Sequence, residues 1–324
     1  MPAISVILPV YNSEKYLPQT LDCLLKQTFS DFELIAVNDS SPDNAAAILE
    51  QAARKDPRVK VLNRPNGGQS AARNTGLDAA TGDFILFCDD DDLMSPNAFE
   101  MMMSLQKQTD ADLVCHGYKR IGPETTVADL PASRDVEGLK TVKGFSFLRR
   151  KTVNIMPWSK LYRRSLFDAI RFPELPLGED FYSSFMTLHA AKKAVCVKNK
   201  LYFHRCHPTQ QSRCPNEAKI RAVFEVARRL SDFFDKNPTT NADKRDFARY
   251  AACSQLYSLL TPVFEANDDA LMQVWKDAWT TLTRNSFISE KDLSFGRRFV
   301  VNALLAGDAE KAKKRFAFIK KCRI

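Results

Sequence analysis

Four apolar runs within the first ninety residues alternate with stretches of helical spacing, and this alternation constrains the fold more than any other feature. Ile4-Ser5-Val6-Ile7-Leu8 is a β-branched run, after which Tyr16, Leu17, Leu21, Leu24 and Leu25 recur on one helical face. Phe32 to Val37 reads as a second strand. Ser41-Pro42 supplies an N-cap with proline at the first helical position and predicts a helix to about Arg54. Val59 to Leu62, Gln69 to Ala79 and Phe84 to Phe87 continue as strand, helix and strand. Such repetition predicts right-handed crossovers and an α/β fold: a Rossmann-like, mostly parallel sheet flanked by helices. Ligands of such sheets bind outside the carboxyl ends of the strands.

Beyond this region, residues 120–145 are polar and irregular, and Trp158 to Phe203 returns to an apolar pattern with strand-like Ala194 to Val197. After Pro215 the runs are helix-compatible: Ala218 to Phe234, Asp243 to Leu260, Asp269 to Thr283 and Phe295 to Lys321. The expected division is a catalytic domain over 1–212 and a mainly helical C-terminal domain over 213–324, in line with a length of 324 residues. A hydrophobic fraction of 44% with 27% charged residues excludes disordered and fibrous classes.

The amino terminus lacks a basic n-region and its first apolar run is broken by Pro9, so no secretory signal is expected. No run of 18 apolar residues is present, and no membrane span is expected. The eight cysteines form no C-x-x-C pair and read as reduced, partly buried thiols, which places the chain in the cytoplasm.

Carboxylates cluster where strands end. The second strand leads into Asn38-Asp39-Ser40-Ser41, and the fourth into Cys88-Asp89-Asp90-Asp91-Asp92. Four consecutive aspartates repel one another unless a cation compensates them. Hard oxygen ligands there suit Mn²⁺ or Mg²⁺, which in turn suits a diphosphate. The bland alternative is a solvated acidic turn that caps a helix.

Ile4 to Asn12, Val37 to Ser41, Asn66-Gly67-Gly68-Gln69-Ser70-Ala71-Ala72-Arg73-Asn74 and Phe87 to Asp92 together resemble the successive motifs of the inverting family 2 glycosyltransferases. That family has the GT-A fold and uses nucleotide-sugar donors, and the resemblance covers about residues 3–210. It implies that Pro9, Tyr11 and Glu14 line a nucleobase and ribose pocket. It further implies that Asp39 accepts from uracil N3–H, which argues for a UDP-sugar, and that Arg73 faces the nucleotide. Asp89-Asp90-Asp91 stands as the family's D-x-D: Asp89 and Asp90 toward the nucleotide, Asp91 and Asp89 toward the metal, with Asp92 behind them. Leu177-Gly178-Glu179-Asp180-Phe181 resembles the E-D motif, with Asp180 as catalytic base and Glu179 on the acceptor side.

Three further assignments rest on the same resemblance. Trp158 is expected to stack on an acceptor sugar, against a core role; Arg205 to clamp phosphate; and His204 or His207 to complete a metal shell. Arg73 as a surface salt bridge, and Glu179-Asp180 as a simple cap on a helix beginning at Phe181, are the competing readings.

The expected function is therefore metal-dependent, inverting transfer of a hexose or N-acetylhexosamine from UDP to a saccharide or lipid-linked saccharide in bacterial surface-glycan synthesis. A sugar-nucleotide nucleotidyltransferase would carry a glycine-rich basic loop after the first strand, where Pro9-Val10-Tyr11-Asn12 stands instead. A catalytically silent scaffold would not need both Asp91 and Asp180. The net charge of +8 raises nucleic acid as a partner, yet no recognised module accompanies it. From Glu290 to Ile324 the chain carries ten Lys/Arg against four Asp/Glu, interleaved with aromatic and aliphatic residues. That pattern suits either peripheral contact with an anionic inner membrane leaflet or a basic outer face on packed helices.

Overall fold

The computed structural model describes residues 1–142, 156–207, 216–237, 249, 253, 256–257, 259–266, 268–284 and 293–322. They fall into two compact units, Met1–Glu174 with Glu179–Pro208, and Leu175–Gly178 with Thr209–Ile324.

The first unit is built on one nine-stranded sheet. Its strands are β1 (Ile4–Val10), β2 (Phe32–Asn38), β3 (Val59–Asn63), β4 (Phe84–Phe87), β5 (Leu93–Met94), β6 (Leu113–Ile121), β7 (Lys140–Val142), β8 (Lys160–Arg163) and β9 (Ala194–Arg205). The order is β3-β2-β1-β4-β8-β6-β9-β5, with β7 pairing β9. Pairings β1–β2, β1–β4 and β2–β3 are parallel, as the strand–helix alternation predicts. Strand β8 enters antiparallel between β4 and β6, and a parallel β6–β9 pair follows.

Helices α1 (Leu17–Leu25), α2 (Ala45–Lys55) and α3 (Gly68–Ala79) connect the first four strands. Along β2, Phe32, Leu34 and Ala36 enter one core cluster, while Ile35 and Val37 enter another with Ala72 of α3. The period of two thus buries both faces, which explains why the strands read as continuous apolar runs. Helix α4 (Ala98–Thr109) brings Phe99, Met102 and Leu105 to the larger core.

Three expected boundaries move. Helix α2 begins at Ala45 and not at Pro42, with Asn44 and not Ser41 at the N-cap position, and the Ala45 N–H donates to Asp43 Oδ1 at 3.2 Å just ahead of it. Helix α5 (Glu179–Ala190) begins two residues before Phe181, so Glu179 and Asp180 form its first turn. The last helical run is two helices, because Gly307 adopts φ 85° and ends the first of them.

The second unit is helical: α6 (Glu217–Lys236), α7 (Leu260–Ala266), α8 (Asp269–Arg284), α9 (Phe295–Leu305) and α10 (Ala309–Cys322). Trp275 and Trp279 stack with centroids 5.4 Å apart, and the Trp275 indole N–H donates to the Leu256 carbonyl at 2.8 Å. The expected boundary at 212–213 and most of the expected helix over 243–260 lie outside the described residues. No helix among the described residues is long and apolar enough to cross a membrane.

Candidate active site

Parallel pairing of β3, β2, β1 and β4 puts Arg64, Asp39, Tyr11 and Asp89 at one edge, each just past the carboxyl end of its strand. Two non-glycine residues there, Asn12 and Ser40, adopt φ of 54° and 56°. Backbone strain of this kind persists only where surrounding contacts hold it, and it concentrates at functional loops. The loops brace each other: Asp43 accepts from the Glu14 N–H at 2.7 Å, and Glu14 accepts from the Asn44 N–H at 2.9 Å. Tyr11 is 39% exposed, whereas Pro9 is buried inside β1.

Asp39 is 3% exposed at its side chain and takes hydrogen bonds from Arg64, from the Gly67 N–H at 3.0 Å and from the Gly68 N–H at 2.7 Å. It therefore sits on the N-terminus of α3, where a carboxylate is favoured by the helix dipole. A uracil at Asp39 has to share the carboxylate with these donors. Gly68, at φ 82°, makes the turn that aims both N–H groups at it.

The centre of the site is Arg73, fully buried on α3. It donates to Asp89 at 3.0 Å and to Asp180 at 2.5 Å, lies 3.7 Å from Glu179, and rests over the Phe172 ring. Three of the expected site carboxylates thus converge on one guanidinium, and the reading of Arg73 as a surface salt bridge is excluded. Asp180 keeps 21% of its side chain exposed. Burial pushes its carboxyl up, Arg73 pulls it down, and the Asp89 charge pushes it up again, with a net upward shift. Burial and the Asp180 charge together push Glu179 up to about 8, against Arg73.

Around the aspartate run, Asp90 accepts from the Tyr11 N–H at 2.9 Å, and burial with the Asp91 charge pushes it up to about 8. Asp91 lies 2.8 Å from His207 Nε2; burial and Asp89 push its carboxyl up while His207 pulls it down. Asp92 is fully buried, bonded to His204 Nδ1 at 3.1 Å and to the Arg205 N–H at 2.7 Å. Burial pushes Asp92 up to about 7. This crowding of incompletely compensated carboxylates, with hard oxygen donors at Asp89 and Asp91, fits a divalent cation. No group of three or more metal-ligating side chains is assembled among the described residues. A cation held there would take further ligands from phosphate oxygens and water, the usual habit of Mg²⁺.

Two expected roles are corrected. Trp158 is 4% exposed and stacked on Tyr202 at 4.2 Å and 10°, with His204 at 5.6 Å and Tyr118 edge-on, so it is core and offers no face to a sugar. Arg205 is fully buried; it donates to the carbonyls of Asp91, Pro123 and Thr125 and to Gln19, with Tyr16 beneath its guanidinium. Those donors organise the aspartate loop and are not presented to a phosphate. His204 is tied to Asp92, which leaves His207 as the histidine beside Asp91.

Sequence reasoning missed four participants. Arg64 bonds Asp39, Gln69 donates to Asp89 at 3.0 Å, and Thr20 Oγ1 donates to the Asp90 and Asp92 carbonyls. The fourth is Lys160, fully buried on β8. Burial pulls its ammonium down to about 8, while the Asp180 charge holds it up. A cation just before Gly67-Gly68 was a readable signal for Arg64; nothing local marks Thr20.

A sequence profile of Glycosyl transferase family 2 matches residues 5–171. The chain belongs to that family. It is a glycosyltransferase of GT-A fold. It is 30% identical over 267 residues to Uncharacterized glycosyltransferase EpsJ of Bacillus subtilis (strain 168), covering 80% of this chain and 78% of EpsJ. It is 40% identical over 115 residues to the Minor teichoic acid biosynthesis protein GgaB of the same organism, covering 34% of this chain and 13% of GgaB. Among solved structures, S. aureus TarS 1-349 in complex with UDP-GlcNAc superposes with a TM-score of 0.74 at 21% identity, covering 99% of this chain and 92% of that one.

Proposed function

We propose that this glycosyltransferase is metal-dependent and inverting, and that it moves a hexose or N-acetylhexosamine from a UDP-sugar to a saccharide or lipid-linked saccharide. The setting is assembly of a bacterial surface glycan such as capsule, lipooligosaccharide or exopolysaccharide, at the cytoplasmic face. One observation carries the reading: Arg73 joins Asp89, at the end of β4, to Asp180, at the start of α5. The carboxylate assigned to the donor and the one assigned to the base therefore share one site.

In the proposed step, Asp180 takes the proton of the acceptor hydroxyl. The freed oxygen pair forms a bond to the anomeric carbon, and the bond from that carbon to the β-phosphate oxygen breaks in line. The Asp180 carboxyl, raised by burial yet reachable, is suited to this proton transfer. Asp91 and Asp89 would hold the cation, which when bound offsets the charge of the departing diphosphate. The UDP-GlcNAc carried by TarS and the teichoic acid role in the name of GgaB support a UDP donor and a surface-glycan acceptor. Residues 1–212 would carry this chemistry and residues 213–324 the helical appendage. The test is a panel of UDP-sugars assayed for UDP release with Mn²⁺, with Mg²⁺ and with chelator. Metal-dependent release from one or two donors is expected; no release from any of them overturns the donor assignment.

A further inference from the structure

Helices α9 and α10 pack on one another across the turn at Gly307, and the two sides of this hairpin differ in chemistry. Val300, Val301, Leu304 and Ala312 face inward and are buried. Phe318, Phe299 and Leu305 stand outward at 65%, 43% and 37% exposure. Three of the seven large hydrophobic side chains exposed among the described residues thus lie on one hairpin, which is more than scattered surface apolarity gives.

Cations accompany the two phenylalanines. Arg315 lies 5.2 Å from the Phe299 ring and donates to the Phe299 carbonyl at 2.9 Å. Lys311 and Lys314 are exposed, and with Phe318 they follow an i, i+3, i+7 spacing that sets all three on one helical face. The segment from Glu290 onward holds most of the chain's net charge of +8.

We propose that this hairpin docks the chain on an anionic phospholipid bilayer. Phe299 and Phe318 enter the boundary between headgroups and acyl chains, and Lys311, Lys314 and Arg315 face lipid phosphates. Charge complementarity selects this partner. Exposed phenylalanines beside cations suit insertion at a headgroup–acyl boundary, whereas sites for single-stranded nucleic acid stack successive bases along a basic groove. A neutral saccharide would leave the cations without counter-charge. The inference goes beyond the transferase reading and does not depend on it.

The test is cosedimentation of the full chain with phosphatidylcholine vesicles, with and without a minor fraction of phosphatidylglycerol, at low and high salt. Binding confined to the anionic vesicles and reduced by salt is expected. Lys311→Gln with Lys314→Gln should lower partitioning roughly thirtyfold, at about fivefold per cation near the surface. Phe318→Ser should lower it about tenfold through the lost apolar contact. Both variants should keep the wild-type circular dichroism and melting temperature, since all three side chains are exposed. Equal pelleting with neutral and anionic vesicles overturns the proposal, as do variants that bind like the wild type. Binding of oligouridylate in the absence of vesicle binding overturns it in favour of RNA.

Discussion

Arg73 and Asp180 stand 2.5 Å apart although 107 positions separate them in the chain. Their contact links the helix that follows the Gly67-Gly68 turn to the helix that opens with Glu179. Arg73 is fully buried, so its charge is not screened by solvent, and it faces more carboxylates than it can neutralise. The surplus of negative charge is what makes a cation-binding, proton-accepting site chemically reasonable here.

Asp91→Ala should remove the metal dependence of UDP affinity. Calorimetric titration of UDP with and without Mn²⁺ is expected to show a gain from the ion in the wild type and none in the variant. The variant should fold, because the Asp91 carbonyl keeps its hydrogen bond from Arg205 while the side-chain contact to His207 is lost. An undiminished Mn²⁺ effect rejects Asp91 as a ligand.

Lys160→Met should shift the pH profile of transfer. Arg73, Lys160, Asp89 and Glu179 all face Asp180, and the two cations hold its carboxyl down. Removing the Lys160 charge raises that carboxyl further, so the acid limb of kcat/KM should move to higher pH. Lys160→Arg should restore the limb at least in part. Steady-state rates between pH 5 and 9 give the answer, and UDP affinity should change little.

Glu33 ties β1, β2 and β3 together. Its carboxylate accepts from Ser5, Thr81 and Lys60 at 2.6 to 2.8 Å. Burial pushes the carboxyl up, and these hydrogen bonds outweigh it, bringing the group down to about 2. A folded value below the unfolded one means stability that is full above about pH 4.5 and lost as pH falls toward 2. Glu33→Gln should cost about 1–3 kcal/mol at neutral pH, and the acid-unfolding midpoint should move upward. Urea melts at several pH values check both.

Trp158→Ala should destabilise the first unit by about 3–5 kcal/mol, as loss of a packed indole does. Trp158→Phe should retain folding and leave the acceptor KM within about twofold, because the ring is inside the core and not on a sugar. A large KM effect in a stable Trp158→Phe variant would return it to the acceptor site.

Local pattern made the first four strands and three helices legible because both faces of β1 and β2 are covered, so their apolar runs are uninterrupted. The acidic edge was legible for the same reason: Asp39 and Asp89 each follow a strand end. The insertion of β8 between β4 and β6 was not, since an antiparallel pairing between residues 84–86 and 161–163 leaves no local trace. Trp158 and Arg205 were misread because residue type suggests a ligand contact, whereas burial and partner count are tertiary facts. The break at Gly307 was readable in principle, but the apolar spacing continues across it.

The most direct measurement compares Asp180→Asn with the wild type for both UDP affinity and sugar transfer, using the donor found in the UDP-sugar panel. The swap keeps the side chain's size and removes its capacity to accept a proton. Transfer should fall by about a thousandfold or more while UDP affinity stays within roughly threefold, the pattern of a lost general base. Full turnover in a folded Asp180→Asn protein would contradict the assignment of the base, and with it the common site that Arg73 defines.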